Sequence, residues 1–162
     1  MNWRVVLAVL TCSTVLMSAS YTMLIPFLPM YLIQELGVQT AEVNWWSSII
    51  FAVSFLISGI FAPIWGAMSD KGSRKLMALR AASCLAITYF LGSIVQTPWQ
   101  LFGVRVLQGL AAGLWPAQLA ILTSVIPHKK IGFSMGLMQA GLTAGGVLGP
   151  LVGGFLAEMF GM

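Results

Sequence analysis

Five apolar segments, at about 5–33, 45–68, 76–96, 99–126 and 132–160, take up nearly all of this chain. Each supplies the roughly 20 residues a helix needs to cross about 30 Å of hydrocarbon. In lipid every backbone donor and acceptor must be satisfied within the protein, so only helices or a closed barrel are open to such segments. No strand-like alternation of apolar and polar residues runs through them, which leaves helices. The composition agrees. At 59% hydrophobic and 7% charged, with a mean hydropathy of +0.93, the chain is too apolar for a water-soluble domain of its size. The expected fold class is an all-α integral membrane bundle of five transmembrane helices, with residues 1–162 forming one incomplete bundle and no soluble domain.

The charges orient these helices. Of the eight Lys and Arg residues, seven (Arg4, Lys71, Arg74, Lys75, Arg80, Lys129 and Lys130) precede the first segment, surround the second connection or lie in the fourth. The first and third connections have none. The positive-inside rule then predicts a multi-pass protein of the plasma membrane with a cytoplasmic N-terminus and an external end after the fifth helix. The net charge of +4 is read as topology. Short juxtamembrane clusters do not make a nucleic-acid surface, so the lipid bilayer is the expected surrounding partner. Trp45, Trp46 and Trp99 fall at expected outer boundaries, and Trp3 and Trp65 near inner ones, as in an interfacial aromatic belt. Cys12 and Cys84 lie inside segments and are read as small buried residues with no disulfide.

Polar residues recur at helical steps. Thr11, Thr14, Ser18, Tyr21 and Thr22 make one stripe on the first segment, which ends in "IPFLPMY", where Pro26 and Pro29 break or bend it. Phe51, Ser54 and Ser58 share a face of the second segment; Trp115 and Gln118 share one in the fourth; the fifth offers Gln139 and Thr143. Such stripes serve helix–helix hydrogen bonding or line a wet cavity. The first-segment stripe is expected to line a cavity, and the others stay open between the two.

Three constellations go further. "GAMSDKGSRK", Gly66 to Lys75, crowds an acid among bases on a tight connection. Gly66 would allow close helix approach, and Asp70 can pair with Arg74 or Lys75 or accept from a helix start. The plain alternative is an ordinary positive-inside loop. "RVLQG" places Arg105 within hydrocarbon, where an isolated charge costs about 2.5–3.5 kcal/mol. Gln108 and Gly109 share its face, so Arg105 is expected to point at neighbouring helices or water, with snorkelling to the outer interface as the alternative. Lastly, Gly141, Gly145, Gly149 and Gly153 recur every fourth residue beside a second column of Gly146, Pro150 and Gly154. Small-residue columns let another backbone approach closely, and Pro150 invites a bend.

Together these resemble the Major Facilitator Superfamily. "GAMSDKGSRK" is similar to the family's loop 2–3 signature, except that Ser73 stands where glycine is expected and Gly72 comes one residue early. "RVLQG" resembles the span 4 signature. "GLMQAGLTAGGVLGPLVGG" is similar to the span 5 signature of the drug–proton antiporters, with Gly136, Gly145, Gly149, Pro150, Gly153 and Gly154 at its spacing. "IPFLPMY" resembles the twelve-span multidrug exporters of Gram-positive bacteria, the quinolone-efflux type in particular. The resemblance implies the truncated front of a secondary transporter built from two six-helix bundles, whose C-terminal half is the missing partner. It implies export of small amphipathic drugs, hence antibiotic resistance, in exchange for protons, with the proton gradient as driving force and no cofactor. It gives Asp70, Arg74 and Lys75 to a cytoplasmic latch and Arg105 to proton or substrate coupling. The span 5 glycines would pack against a helix of the second bundle and seal the outer side. Tyr21, Trp115, Gln118 and Gln139 become candidate cavity residues. Spans 1 to 5 hold no mid-membrane carboxylate, so the proton carrier would lie elsewhere. Two other functions stay open: the same machine exporting a sugar or metabolite, and a small membrane protein that binds a partner and transports nothing. No nucleophile–base pair, metal cluster or phosphate loop is present, and His128 stands alone, so neither an enzyme nor a metal site is expected.

Overall fold

A computed structural model describes residues 2–160, apart from the side chains of Asp70, Lys71 and Phe160. The described residues are helical throughout their ordered elements. These are α1 (Trp3–Thr22), α2 (Leu28–Gln34), α3 (Val43–Lys71), α4 (Arg74–Gly92), α5 (Pro98–Ala111), α6 (Leu114–Val125) and α7 (Ile131–Phe160), with a short 3-10 turn at His128–Lys130 before α7. Five helical segments, Trp3–Thr22, Val43–Ser69, Arg74–Gly92, Pro98–Val125 and His128–Met159, are long and apolar enough to cross a membrane. The expected all-α class and the five spans are what the structure has.

Helix starts follow local chemistry. Asn2 accepts from Arg4 N at 3.2 Å, and Thr97 accepts from Gln100 N at 3.3 Å with Pro98 opening α5; these are the capping oxygen and first-turn proline that satisfy orphan donors. Ser73, where the family resemblance expects glycine, caps α4 by accepting from Leu76 N at 3.5 Å.

Two of the expected spans are interrupted. The first breaks after Thr22 and resumes at Leu28 as α2, a seven-residue helix. Pro26 lies in the intervening turn, so the proline-rich ending acts as expected. The fourth was expected to be continuous and is not. It stops at Ala111 and restarts at Leu114, with Gly113 at φ +116°. A positive φ of this size suits glycine alone among common residues, and Pro116 falls in the first turn of α6, where a helix tolerates proline.

Contacts divide the chain into two compact units, residues 1–28 with 119–162 and residues 29–118. The first is built on α1 and α7 and is called the terminal unit; the second, on α3, α4 and α5, is called the central unit. In the terminal unit α1 buries Leu7, Leu10, Thr14 and Ser18, and α7 buries Gly141, Gly145, Gly149 and Gly153. Both sets recur at three- and four-residue steps, the spacing of a single helix face. In the central unit Trp46 at the start of α3 meets Trp99 at the start of α5, ring centroids 5.0 Å apart at 89°, the edge-to-face geometry aromatic quadrupoles favour. Those two helix starts therefore lie at one end of that unit, as the aromatic-belt expectation for Trp46 and Trp99 requires.

Candidate functional site

Within the terminal unit, the glycine column of α7 is a backbone-to-backbone contact. A Cβ on Gly145 would fall against Val15 O and 2.8 Å from Ser18 Cβ. On Gly149 it would collide with Thr22 Oγ1 and lie 2.5 Å from Ala19 O, and on Gly153 it would lie 2.7 Å from Met23 O. Ser18 Oγ donates to Leu142 O at 2.6 Å across the same contact. Thr22 Oγ1 is 2.9 Å from Ser18 O in its own helix and 3.5 Å from Gly145 O.

This corrects two expectations. The column of Gly141, Gly145, Gly149 and Gly153, expected to meet a helix of a second bundle, meets α1 of this chain. The polar stripe of the first segment does not line a wet cavity along Ser18 and Thr22. These side chains give their protons to carbonyls of α1 and α7, and Thr14 is 0% exposed with its hydroxyl on Leu10 O at 2.8 Å. Small hydroxyl residues are what a tight membrane helix pair uses, since each can fit beside a glycine and satisfy itself on a nearby carbonyl. Of the remaining span 5 residues, Gly154 would bring a Cβ to 3.4 Å from Phe27, Pro150 lies inside the continuous α7, and Gly136 meets nothing within 4 Å.

The span 4 cluster lies in the central unit and is built as the spacing predicts. Arg105 is 3% exposed, which removes the snorkelling alternative. Its Nη1 donates to Gln108 Oε1 at 3.0 Å, and its guanidinium carbon stands 5.8 Å from the Phe51 ring. Ser54 Oγ on α3 donates to Arg105 O at 3.2 Å. One turn on, a Cβ at Gly109 would sit 2.8 Å from both Ile57 Cβ and Ser54 O. Gly109 is thus a point of close backbone approach of α5 to α3, and Phe51 and Ser54, which share one face of the second segment, form the opposing wall.

A second arginine in the central unit was not singled out by its sequence position. Arg80 looked like part of the connection charge, yet it lies in the second turn of α4. Its guanidinium carbon is 3.6 Å from the Trp65 ring centroid, and Nη2 donates to Ala112 O at 3.3 Å. Ala112 caps the C-terminal end of α5, where the α5–α6 break leaves carbonyls without helical partners and the dipole favours a cation. A Cβ on Gly113 would lie 3.5 Å from Arg80 Nη2. The signal available in sequence was that Arg80 comes six residues after Arg74, within an apolar run.

The other expected site residues are scattered. The Asp70 side chain lies outside the described residues. Arg74 and Lys75 are exposed in the first turn of α4, where the helix dipole disfavours cations, so helix stability does not account for their position. Gly66 would meet nothing within 4 Å; the close helix approach expected there is absent and falls instead at Gly109. Tyr21 on α1 and the exposed Gln139 on α7 belong to the terminal unit, whereas Trp115 and Gln118 open α6 in the central unit. Gln118 is 1% exposed.

Five helices long and apolar enough to cross a membrane, with a glycine contact between two of them and a buried arginine held by a neighbouring amide, make this a multi-pass membrane protein. Residues 10–162 match the Major Facilitator Superfamily, and the chain belongs to that family. It is 38% identical over 162 residues to the Multidrug resistance protein MdtG of Proteus mirabilis (strain HI4320), covering 99% of this chain and 40% of that protein. It is 37% identical to the proteins of the same name from Yersinia enterocolitica (serotype O:8 / biotype 1B) and Klebsiella pneumoniae (strain 342), in each case over 99% of this chain and 39% of the relative. The chain thus spans about two fifths of the length of these curated relatives.

Proposed function

We propose that these helices form the front of a proton-coupled efflux transporter for amphipathic drugs. The observation that carries this reading is the buried Arg105–Gln108–Gly109 cluster, set against Ser54 and Phe51, in a chain that resembles multidrug resistance proteins along 99% of its length. A buried charge in a membrane helix is costly, and its retention beside a polar amide suits a group whose partner changes during a transport cycle. The chain supplies the first five helices of a six-helix bundle, and a second bundle completes the cavity. Arg105 takes part in coupling. Asp70, Arg74 and Lys75 latch the two bundles on the cytoplasmic side. The protein lies in the plasma membrane with its N-terminus in the cytoplasm, uses the proton gradient and no cofactor, and catalyses no chemical conversion.

The α1–α7 pair enters this scheme as one rigid strut. Because the glycine column is closed by α1, any sealing by α7 on the outer side is made by the strut as a whole. The test is resistance profiling of cells that express the complete reading frame, together with drug-driven proton flux in proteoliposomes. Raised tolerance to several unrelated amphipathic compounds, abolished by a protonophore, is the expected result. Tolerance to none, with saturable flux of a sugar or other metabolite, would replace the drug reading with a metabolite exporter.

A further inference from the structure

Helices α3, α4 and α5 of the central unit border a groove of about 440 Å³. Arg80, Cys84, Ile87, Thr88 and Leu91 line it on successive turns of α4, so it runs about 16 Å along that helix. Beyond Arg80 and Trp65 the walls are mainly apolar, and Ile87 and Leu107 are 59% and 43% exposed on its open side. At the Arg80 end two buried donors, Arg80 Nε and Trp65 Nε1, meet no hydrogen-bond partner. Of the five donor hydrogens of a guanidinium, Ala112 O takes one; it is the one acceptor Arg80 meets among the described residues. Unmet buried donors are unfavourable, and none of the groove's walls supplies a hydrogen-bond partner to these two.

We propose that this groove is a binding site for an anionic phospholipid, with its phosphate on Arg80 and Trp65 and an acyl chain along Ile87, Leu91 and Leu107. Charge and shape both point to this occupant. The cation stands at one end of a groove about as long as one leaflet of hydrocarbon is deep, near the basic start of α4, and the rest of the groove matches an acyl chain. Helix side chains lean towards the helix N-terminus, which carries the guanidinium back towards the headgroup region, and a membrane arginine draws headgroups towards itself by local thinning. On the proposed topology the lipid belongs to the inner leaflet. Bound there, it would tie α4 to the α5–α6 break through the phosphate and stiffen a junction otherwise held by Arg80 alone.

Native mass spectrometry of the detergent-purified chain tests this with three probes: phosphatidylglycerol, phosphatidylcholine with the same acyl chains, and glycerol 3-phosphate as headgroup without chains. Phosphatidylglycerol should be retained about tenfold more strongly than phosphatidylcholine, and glycerol 3-phosphate not at all. Arg80→Gln should lower phosphatidylglycerol retention about tenfold, the scale of one charge-assisted contact. Ile87→Trp, which fills the open side and leaves Arg80 in place, should lower it similarly, whereas Lys129→Gln in the terminal unit should not. If Arg80→Gln does not fold, Ile87→Trp and the charge-preserving Arg80→Lys carry the test, the latter retaining most of the binding. Equal retention of the two phospholipids, an equal loss in Lys129→Gln, unchanged binding in Ile87→Trp, or binding of glycerol 3-phosphate alone would each overturn the proposal.

Discussion

Ser18 Oγ donates to the carbonyl of Leu142 at 2.6 Å, across a contact where α7 presents glycines and α1 presents small hydroxyl residues. The two features depend on each other. With side chains at Gly141, Gly145 and Gly149 the carbonyl of Leu142 would stand too far from α1 for a serine to reach it. Without hydroxyls on α1, bulkier apolar residues would hold the helices apart.

Gly149→Ala should therefore destabilise the α1–α7 pair even though it adds one methyl. That methyl meets Thr22 Oγ1 and the Ala19 carbonyl, and the backbone contact cannot be relieved by a rotamer change alone. A cost of about 1–3 kcal/mol is expected, as for overpacked cores, with Gly149→Leu costing more. Gly146→Ala is the matched control, since its Cβ would stand at an ordinary 3.6 Å from Ser18 Oγ. Unfolding of the purified chain in mixed detergent micelles measures the difference. Equal stability of the 146 and 149 alanine variants would contradict the packing described.

Gly113 carries a second glycine prediction with a different cause. Here space is adequate, at 3.5 Å to the nearest atom, but φ is +116°. Gly113→Ala should cost about 1–3 kcal/mol through backbone strain. Because Arg80 donates to the neighbouring Ala112 carbonyl, Arg80→Gln should weaken the same junction, and the two losses should fall short of additive in the double variant, as coupled neighbours do. Additive losses would show that the guanidinium does not hold the break.

The contrast between these glycines explains what was legible in the sequence. Periodicity places residues on a helix face, so the α7 column, the shared face of Arg105, Gln108 and Gly109, and five membrane-length spans could all be read. It does not say which helix a face meets. Nothing in the column itself names its partner, and the hydroxyl stripe on α1 is its complement; only the two stripes taken together imply the pair. The break at Gly113 depends on a backbone angle, and glycine is common inside membrane helices, so the glycine alone does not mark it; Pro116 in the next turn is the sign that does. Arg80 was hidden by its nearness to the connection charges. Gly66 is the converse case, a motif glycine with open space beside it.

Topology yields a prediction that does not depend on transport. Thr40 is exposed in the connection between α2 and α3, which the charge bias assigns to the outside. In a background with Cys12 and Cys84 replaced, a cysteine at Thr40 should react with an impermeant maleimide added to intact cells, and one at Lys129 should react only after permeabilisation. The reverse pattern would invert the helix bundle and place Arg80 towards the outer leaflet.

The last prediction separates a structural from a transport role for Arg105, in the complete protein. Arg105 is 3% exposed and bonded to Gln108, so a lysine there keeps charge but loses the planar fork that reaches the amide. Arg105→Met keeps much of the volume and removes the charge, and replacing buried charge by a well-packed apolar chain is often neutral or stabilising. If Arg105 only holds α5 in place, Arg105→Met should fold and export at the parental rate, while Arg105→Lys loses both stability and activity. If Arg105 couples proton and drug, Arg105→Met should fold at least as well as the parent and still lose export by tenfold or more. Drug efflux and proton flux, normalised to folded protein, decide between them. Parental efflux in folded Arg105→Met would reduce the buried cluster to a packing element and remove the main geometric support for proton-coupled export.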